Sequence, residues 1–161
     1  MKKQEDFAMS EHFMLKEFTR SATAVRHHID NSVDINTEAG REVVMNLQHI
    51  CETILEPMRE QIGEPVIVTS GYRCAELNKV LGGVWNSQHL KGEAVDFQLG
   101  GNGGSARLKE CYKWLLDNTR FDQLIFESRS NGKGKPDTEW IHVSLCRDDG
   151  RNRQKGMRVR K

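Results

Sequence analysis

Two short stretches of the sequence place histidines and carboxylates at close spacing. His89 precedes Asp96 in the run SQHLKGEAVD, and Glu139 precedes His142 in the run EWIH. Two histidines and one carboxylate make a three-ligand set that leaves the fourth position of a tetrahedral zinc ion open to water, as catalytic zinc sites do. The remaining carboxylate can take a proton from an attacking water and return it to a leaving amine. The pattern is therefore typical of a hydrolytic metal site.

The position of Glu139 sets a geometric condition on this hypothesis. Side chains on a regular strand alternate between its two faces, so Glu139 and His142 on one strand point to opposite faces. We therefore expect Glu139 to lie in an irregular start of the strand, directly after the loop Ser128–Thr138. Taken singly, each of these residues also has a structural explanation, since a strand histidine is often a hydrogen-bonded structural group and Asp96 can cap a turn.

The helix that the sequence predicts most clearly runs from Thr37 to Ile62. Its apolar residues recur at steps of three and four, as one face of a helix requires: Val43, Leu47, Ile50, Ile54 and Met58. Asn36 or Thr37 can cap its start and Gly63 can end it. Pro57 lies inside the pattern, where it removes a backbone donor, so we expect a kink or break there.

The rest of the chain alternates strands with short helices. Short runs of β-branched or alternating apolar residues predict strands at Pro65–Ser70, Glu93–Leu99, Gln123–Phe126 and Trp140–Leu145. A short helix is predicted over Cys74–Leu81, and Ser105 can cap a longer one. This order predicts an α+β domain with a small sheet backed by helices.

The histidine motifs, taken together, resemble a known family. Ser-x-His-x-x-Gly-x-Ala-x-Asp, followed some forty residues later by Glu-x-x-His, is similar to the signature of the zinc D-alanyl-D-alanine carboxypeptidases. Relatives of these enzymes include vancomycin-resistance D-Ala-D-Ala dipeptidases and phage endolysins that cut peptidoglycan stem peptides. The resemblance extends upstream to the run SGYR, which ends at Arg73, and to Asn78, and it covers approximately Glu11–Leu145.

The resemblance implies a fold and a set of residue roles. It implies a Hedgehog/DD-peptidase-like fold, with a small antiparallel sheet and helices packed on one side. The implied zinc ligands are His89, Asp96 and His142, and the implied catalytic acid and base is Glu139. Arg73 is implied to contact substrate or a developing oxyanion, for which its planar, always charged guanidinium is suited. Ser87 is implied to lie near the substrate.

The motifs predict a Zn²⁺ metallopeptidase, and the resemblance implies that it hydrolyses an amide bond involving D-amino acids in peptidoglycan peptides. It could act as a carboxypeptidase, a dipeptidase or a stem-peptide endopeptidase, and the loops Leu81–Asn86 and Ser128–Thr138 decide how much peptide fits. The alternative is a non-catalytic, zinc-stabilised module that binds cell wall or belongs to a phage particle. A pure binding module has no need of Glu139, so the enzyme is favoured.

Length and composition limit the other possibilities. At 161 residues the chain fits one domain, which we place at 1–146, followed by a basic, flexible tail at 147–161. The 24 Lys and Arg nearly balance 23 Asp and Glu, and the tail has no interleaved aromatic residues, so we expect no nucleic-acid partner. The basic charge of the tail is explained by a solvated, frayed terminus. Weak attraction of the tail to an anionic polymer is the functional alternative.

The sequence also carries expectations about compartment and assembly. The acidic pair Glu5 and Asp6 stands where an export signal would have its apolar stretch, and no apolar run is long enough to span a membrane. We therefore expect cytoplasmic synthesis, followed either by action at the cell wall after release, as for a phage or prophage lysis enzyme, or by action on precursors in the cytosol, as for a dipeptidase. A monomer is expected, and the four scattered cysteines are expected to be reduced and mostly buried.

Overall fold

The computed structural model describes residues 5–161, so the predicted absence of an export signal rests partly on residues outside the described part of the chain. The α-helices are α1 (Leu15–Thr19), α2 (Ala22–Arg26), α3 (Glu38–Ile50), α4 (Glu56–Ile62), α5 (Ala75–Val80) and α6 (Gly104–Asn118). The strands are β1 (Val66–Ser70), β2 (Ala94–Leu99), β3 (Gln123–Arg129), β4 (Thr138–Ser144) and β5 (Lys155–Arg160). In residues 5–161, no helix is both long and apolar enough to cross a membrane.

The five strands form one mixed sheet in the order β1-β2-β4-β3-β5. The first four are antiparallel to their neighbours, whereas β5 pairs parallel to β3. The predicted α+β class is confirmed. The sheet is antiparallel through β1–β4 and mixed overall, because the chain after β4 returns through a short helical turn at Asp149–Arg151 and adds its last strand parallel to β3.

That last strand also corrects the expectation of a flexible basic tail at 147–161. Residues 155–160 pair in continuous register with residues 123–128, so their backbone groups are hydrogen-bonded rather than free. The guanidinium of Arg158 lies 5.7 Å from the ring centre of Tyr112 and 5.8 Å from that of Phe126, distances typical of cation–π contacts. The charged side chains of this segment did not predict a strand, because its pairing with β3 depends on backbone hydrogen bonds and not on apolar side chains.

The long predicted helix is present but interrupted, as Pro57 predicted. A π-helical turn at Cys51–Leu55 separates α3 from α4, and Pro57 lies in the first turn of α4. Thr37 caps α3 by accepting a hydrogen bond from the Gly40 amide at 3.0 Å, and Gly63 ends α4 in the left-handed region. By contrast, Ser105 does not cap α6, because that helix already begins at Gly104.

The apolar core lies on one face of the sheet. Alternate residues of the first four strands point into it: Val66, Val68, Val95, Phe97, Leu124, Phe126, Ile141 and Val143. Residues of α1, α3, α4 and α6 complete the same cluster. The thiols of Cys51 and Cys111 belong to it, and burial raises the pKa of each to about 12. The opposite face of the strands is thereby left for polar groups.

Candidate active site

The polar face of the sheet brings the three predicted metal ligands together. Asp96 in β2 lies directly beside His142 in β4 in the strand register. His89 comes from a 3-10 helical turn, Gln88–Lys91, that immediately precedes β2. One ligand atom from each of the three residues lies within 4.8 Å of the others.

Hydrogen bonds fix which atoms of the two histidines face the cluster. Nδ1 of His89 lies 2.7 Å from the carbonyl oxygen of Gly71, which can only accept, so Nδ1 donates and Nε2 is left as the ligand atom. Nε2 is 3.5 Å from Oδ1 of Asp96. Nδ1 of His142 lies 2.7 Å from the same oxygen. Two imidazole nitrogens and a carboxylate oxygen are a donor set that suits Zn²⁺ and leaves a coordination position open.

The buried carboxylate of Asp96 is held in its charged form by its surroundings. Burial opposes ionisation, but the electrostatic interaction with His89 and the short contacts with both imidazole rings hold the pKa of Asp96 well below its usual range. An ionised carboxylate is the form that binds a metal ion. Asp96 is therefore ready to act as a ligand at neutral pH.

Two glycines allow the backbone to bring His89 to the sheet. Gly92 has φ +69, and a Cβ there would lie 2.7 Å from the Val43 carbonyl oxygen, so the turn before β2 requires glycine. A Cβ on Gly71 would lie 2.6 Å from the carbonyl oxygen of Phe18. Gly71 thus passes close to α1 while its own carbonyl orients His89.

Arg73 lies beside the ligands, as predicted. Its Nε donates to Ser70 Oγ at 2.9 Å, and its Nη2 donates to Oδ2 of Asp96 at 3.1 Å. Burial lowers the pKa of Arg73, and the carboxylates of Asp96 and Glu127 act against that change. The guanidinium lines the cavity over the ligands, so it both orients Asp96 and presents charge to whatever binds there.

Ser87 lines the same cavity and caps the turn that carries His89. Its Oγ accepts a hydrogen bond from the His89 amide at 3.3 Å. Asn78, the other residue of the family resemblance, is buried, and its side-chain amide donates to the Val84 carbonyl at 2.9 Å. This bond holds the loop at the rim of the cavity.

Glu139 does not meet the condition that the sequence set for it. The pairing of β3 with β4 runs without a shift from Arg129 and Thr138 to Gln123 and Ser144, so the expected irregular start of β4 is absent. Regular alternation places Glu139 on the face of Ile141, opposite that of His142. Glu139 is not among the residues that line the cavity at the metal ligands.

Glu127 occupies the place that Glu139 was expected to fill. It lies in β3, two residues after Ile125, which pairs with His142, and it therefore shares the polar face. Its side chain lines the cavity with all three ligands and is only 13% exposed. The strand predicted from the sequence ended at Phe126 and therefore did not include Glu127. The alternation of Gln123, Ile125 and Glu127 was the signal that could have found it.

The cavity at this site has a volume of about 760 Å³. The three ligands, Arg73, Ser87 and Glu127 all line it. A metal-binding donor set, a carboxylate and a guanidinium in one cleft are the groups that hydrolysis of an amide requires.

Comparison with known proteins agrees with this chemistry. A search of curated proteins finds no match. The family model described as peptidase M15 matches residues 11–144, which include the ligands, Arg73, Ser87, Glu127 and Glu139. The match covers most of the chain, including all three candidate ligands, so this protein belongs to the peptidase M15 family.

Proposed function

We propose that this protein is a zinc metallopeptidase that hydrolyses an amide bond involving D-amino acids in peptidoglycan peptides. The observation that carries the proposal is the convergence of His89, Asp96 and His142 in one cleft with Arg73 and Glu127. The family match supports peptide hydrolysis. The similarity of the histidine motifs to the D-alanyl-D-alanine carboxypeptidases supports the D-amino-acid substrate, with the cell wall as its source.

The ligands proposed for Zn²⁺ are His89 Nε2, an oxygen of Asp96 and His142 Nδ1. Their donor types fit zinc, and the bond from His89 Nδ1 to Gly71 supplies the orienting contact that metal-binding histidines usually have. When bound, zinc would polarise the scissile carbonyl and lower the pKa of a coordinated water.

Glu127 is the residue we propose as general base and acid. It would accept the proton of the attacking water and deliver it to the amine that leaves. Its place on the ligand face of β3 supports this role over the role expected of Glu139. Lys161, whose Nζ lies 3.2 Å from Glu127 Oε2, holds the carboxylate in position.

Arg73 and Ser87 are proposed to act on the substrate. A guanidinium at the wall of the cleft can stabilise negative charge that develops on the carbonyl oxygen, or hold a substrate carboxylate. Arg73 also keeps Asp96 oriented through its Nη2. Ser87 lies at the rim, where its Oγ caps the His89 turn and faces the cavity.

The proposal is tested by digestion of purified muropeptides with zinc-loaded protein, with mass spectrometry of the products. Chelator-treated protein and the variant Asp96→Asn are the controls. We expect a released D-amino acid or stem fragment with the zinc-loaded protein alone. If zinc binds stoichiometrically and no muropeptide is cut, the enzyme proposal fails and the alternative of a non-catalytic wall-binding module takes its place.

A further inference from the structure

The cleft at the metal ligands continues into a second space, which we call the outer chamber. It has a volume of about 460 Å³ and is lined by Thr69, Gln98, Arg129, Thr138 and Trp140. Arg73, Asp96, Glu127 and Lys161 line both spaces, so the two are adjacent at the catalytic groups. The metal ligands therefore lie partway along a groove and not at its closed end.

The strand register measures how far the groove extends on each side of the ligands. His142 pairs with Ile125; Gln123 lies two residues to one side of that pair, and Arg129 lies four residues to the other. At about 3.4 Å per residue, the groove reaches roughly 7 Å toward Gln123 and roughly 14 Å toward Arg129. An extended peptide advances at most about 3.6 Å per residue, so roughly six residues fit along this length.

The outer chamber is cationic. Arg129 is exposed, and its guanidinium makes no ion pair with any carboxylate among residues 5–161. Lys161 pairs with Glu127, and its Nζ lies 5.7 Å from the ring centre of Trp140. Apart from Asp96 and Glu127, which the catalytic site uses, the lining contains no carboxylate. A ligand carboxylate would find an unopposed positive charge there.

We infer that the outer chamber is a substrate subsite that binds a carboxylate-bearing residue of an extended peptide, so that this enzyme cuts within a peptide chain. The inference rests on the proposed function and narrows it to endopeptidase cleavage. An enzyme that trims one terminal residue needs room for only that residue beyond the scissile bond. This groove instead offers about two residues' length on the Gln123 side of the ligands and about four on the Arg129 side, with a cation at the far end of the longer side.

The first part of the test identifies the bond that is cut. Muropeptides with intact stems are digested and the product masses are read. Fragments of two or more residues on each side of the cut support the inference. Release of a single terminal amino acid overturns it and leaves the proposed peptidase function standing, whereas no hydrolysis at all contradicts the proposed function itself.

The second part tests the carboxylate subsite. Two synthetic peptides that span the identified bond differ only in one carboxylate, which is a carboxamide in the second peptide. We expect Arg129→Met to raise KM for the carboxylate peptide about tenfold or more, with kcat little changed, because a charge-assisted hydrogen bond is lost. The same variant should leave KM for the carboxamide peptide unaltered.

The matched control is Lys155→Met, which removes a cation from the exposed side of β5, outside both spaces. It should leave KM unchanged for both peptides. Equal KM values of wild-type protein and Arg129→Met for the carboxylate peptide would overturn the subsite. So would an equal rise in KM with the Lys155→Met control, because the effect would then come from the general charge of the protein.

Discussion

The two faces of the central sheet are built from the same strands but differ in how their side chains are stabilised. On the helix-covered face, Phe97 and its neighbours form a continuous apolar cluster in which each side chain is one of many. On the other face, Asp96 sits beside His142, and each polar group depends on one or two named partners. On the helix-covered face, burial of apolar surface stabilises the fold. On the polar face, the free-energy cost of burying polar groups is offset by hydrogen bonds and ion pairs.

The difference between the two faces explains why a shift of one residue in strand register determines which glutamate can reach the candidate metal ligands. Glu139 and Glu127 lie on neighbouring antiparallel strands, and continuous pairing sends them to opposite faces. A carboxylate on the helix face cannot reach the ligands without a break in the strand. The face, and not proximity in sequence to His142, is therefore the reason why we propose Glu127 and not Glu139 as the base.

The largest expected effect comes from removing a ligand on the polar face. His142→Ala should abolish stoichiometric zinc binding and lower kcat/KM at least about a thousandfold, because several kcal/mol of transition-state stabilisation depend on the metal. Metal analysis and peptide hydrolysis measure both. His27→Ala, which removes an exposed histidine outside the site, should change neither. Stoichiometric zinc in His142→Ala would contradict the ligand assignment.

The opposite result is expected on the apolar face. Phe97→Ala should lower the free energy of unfolding by about 3–5 kcal/mol, because it leaves a cavity in a fully buried position. Urea denaturation measures the change, and Phe97→Leu should cost less. Below the onset of unfolding, the zinc stoichiometry of Phe97→Ala should match that of the wild type. A loss of zinc from the folded variant would show that the faces are not independent.

An intermediate effect is expected at the ion pair between buried Asp122, directly before β3, and exposed Arg153, shortly before β5. Asp122 accepts from Arg153 Nε and Nη2, both at 2.7 Å, and these hydrogen bonds lower the pKa of Asp122 despite its burial. Asp122→Asn should cost about 1–3 kcal/mol at neutral pH. Asp117→Asn, in the exposed pair with Lys113, should cost less.

The pH dependence of this pair follows from the lowered pKa of Asp122. The stabilisation is fully present above the unfolded value, near 3.9, and is lost as the pH falls through the lower folded value. Urea denaturation between pH 6 and pH 3 should therefore show wild-type protein losing its advantage over Asp122→Asn as the pH falls. An advantage that stays constant across this range would contradict the assignment.

The smallest effect is expected where the polar face is open to solvent. Ile67 in β1 is 42% exposed, whereas its neighbour Val68 is 2% exposed on the apolar face. Ile67→Thr should change the free energy of unfolding by no more than about 0.5 kcal/mol. Val68→Thr should cost more, because it buries a hydroxyl in the core. Equal losses would remove the distinction between the faces in β1.

The sequence was informative where residue type alone carries the chemistry. The convergence of His89, Asp96 and His142 could be predicted because few residue types bind zinc and their spacing matched a known pattern. The helix around Pro57 could be predicted because periodicity and a missing backbone donor are local properties. Those features do not depend on which strands become neighbours.

The parts that were missed depend on pairing between distant segments. Nothing within residues 155–160 shows that β3 has a free edge to receive them, and their charge indicates exposure. Glu127 required the correct end of β3 and its register with β4, because only the pairing of Ile125 with His142 reveals the shared face. The face of Glu139 likewise depends on whether β4 begins regularly.

The measurement that tests the account most directly compares Glu127→Gln with Glu139→Gln in zinc-loaded protein. Both variants remove one carboxylate and keep the side-chain size, and zinc content is measured alongside kcat. We expect Glu127→Gln to retain zinc and lower kcat by about 10²–10⁴-fold, as loss of a general base does, while Glu139→Gln keeps kcat close to that of the wild type. Loss of turnover in Glu139→Gln with normal kcat in Glu127→Gln would contradict the assignment of the base by sheet face.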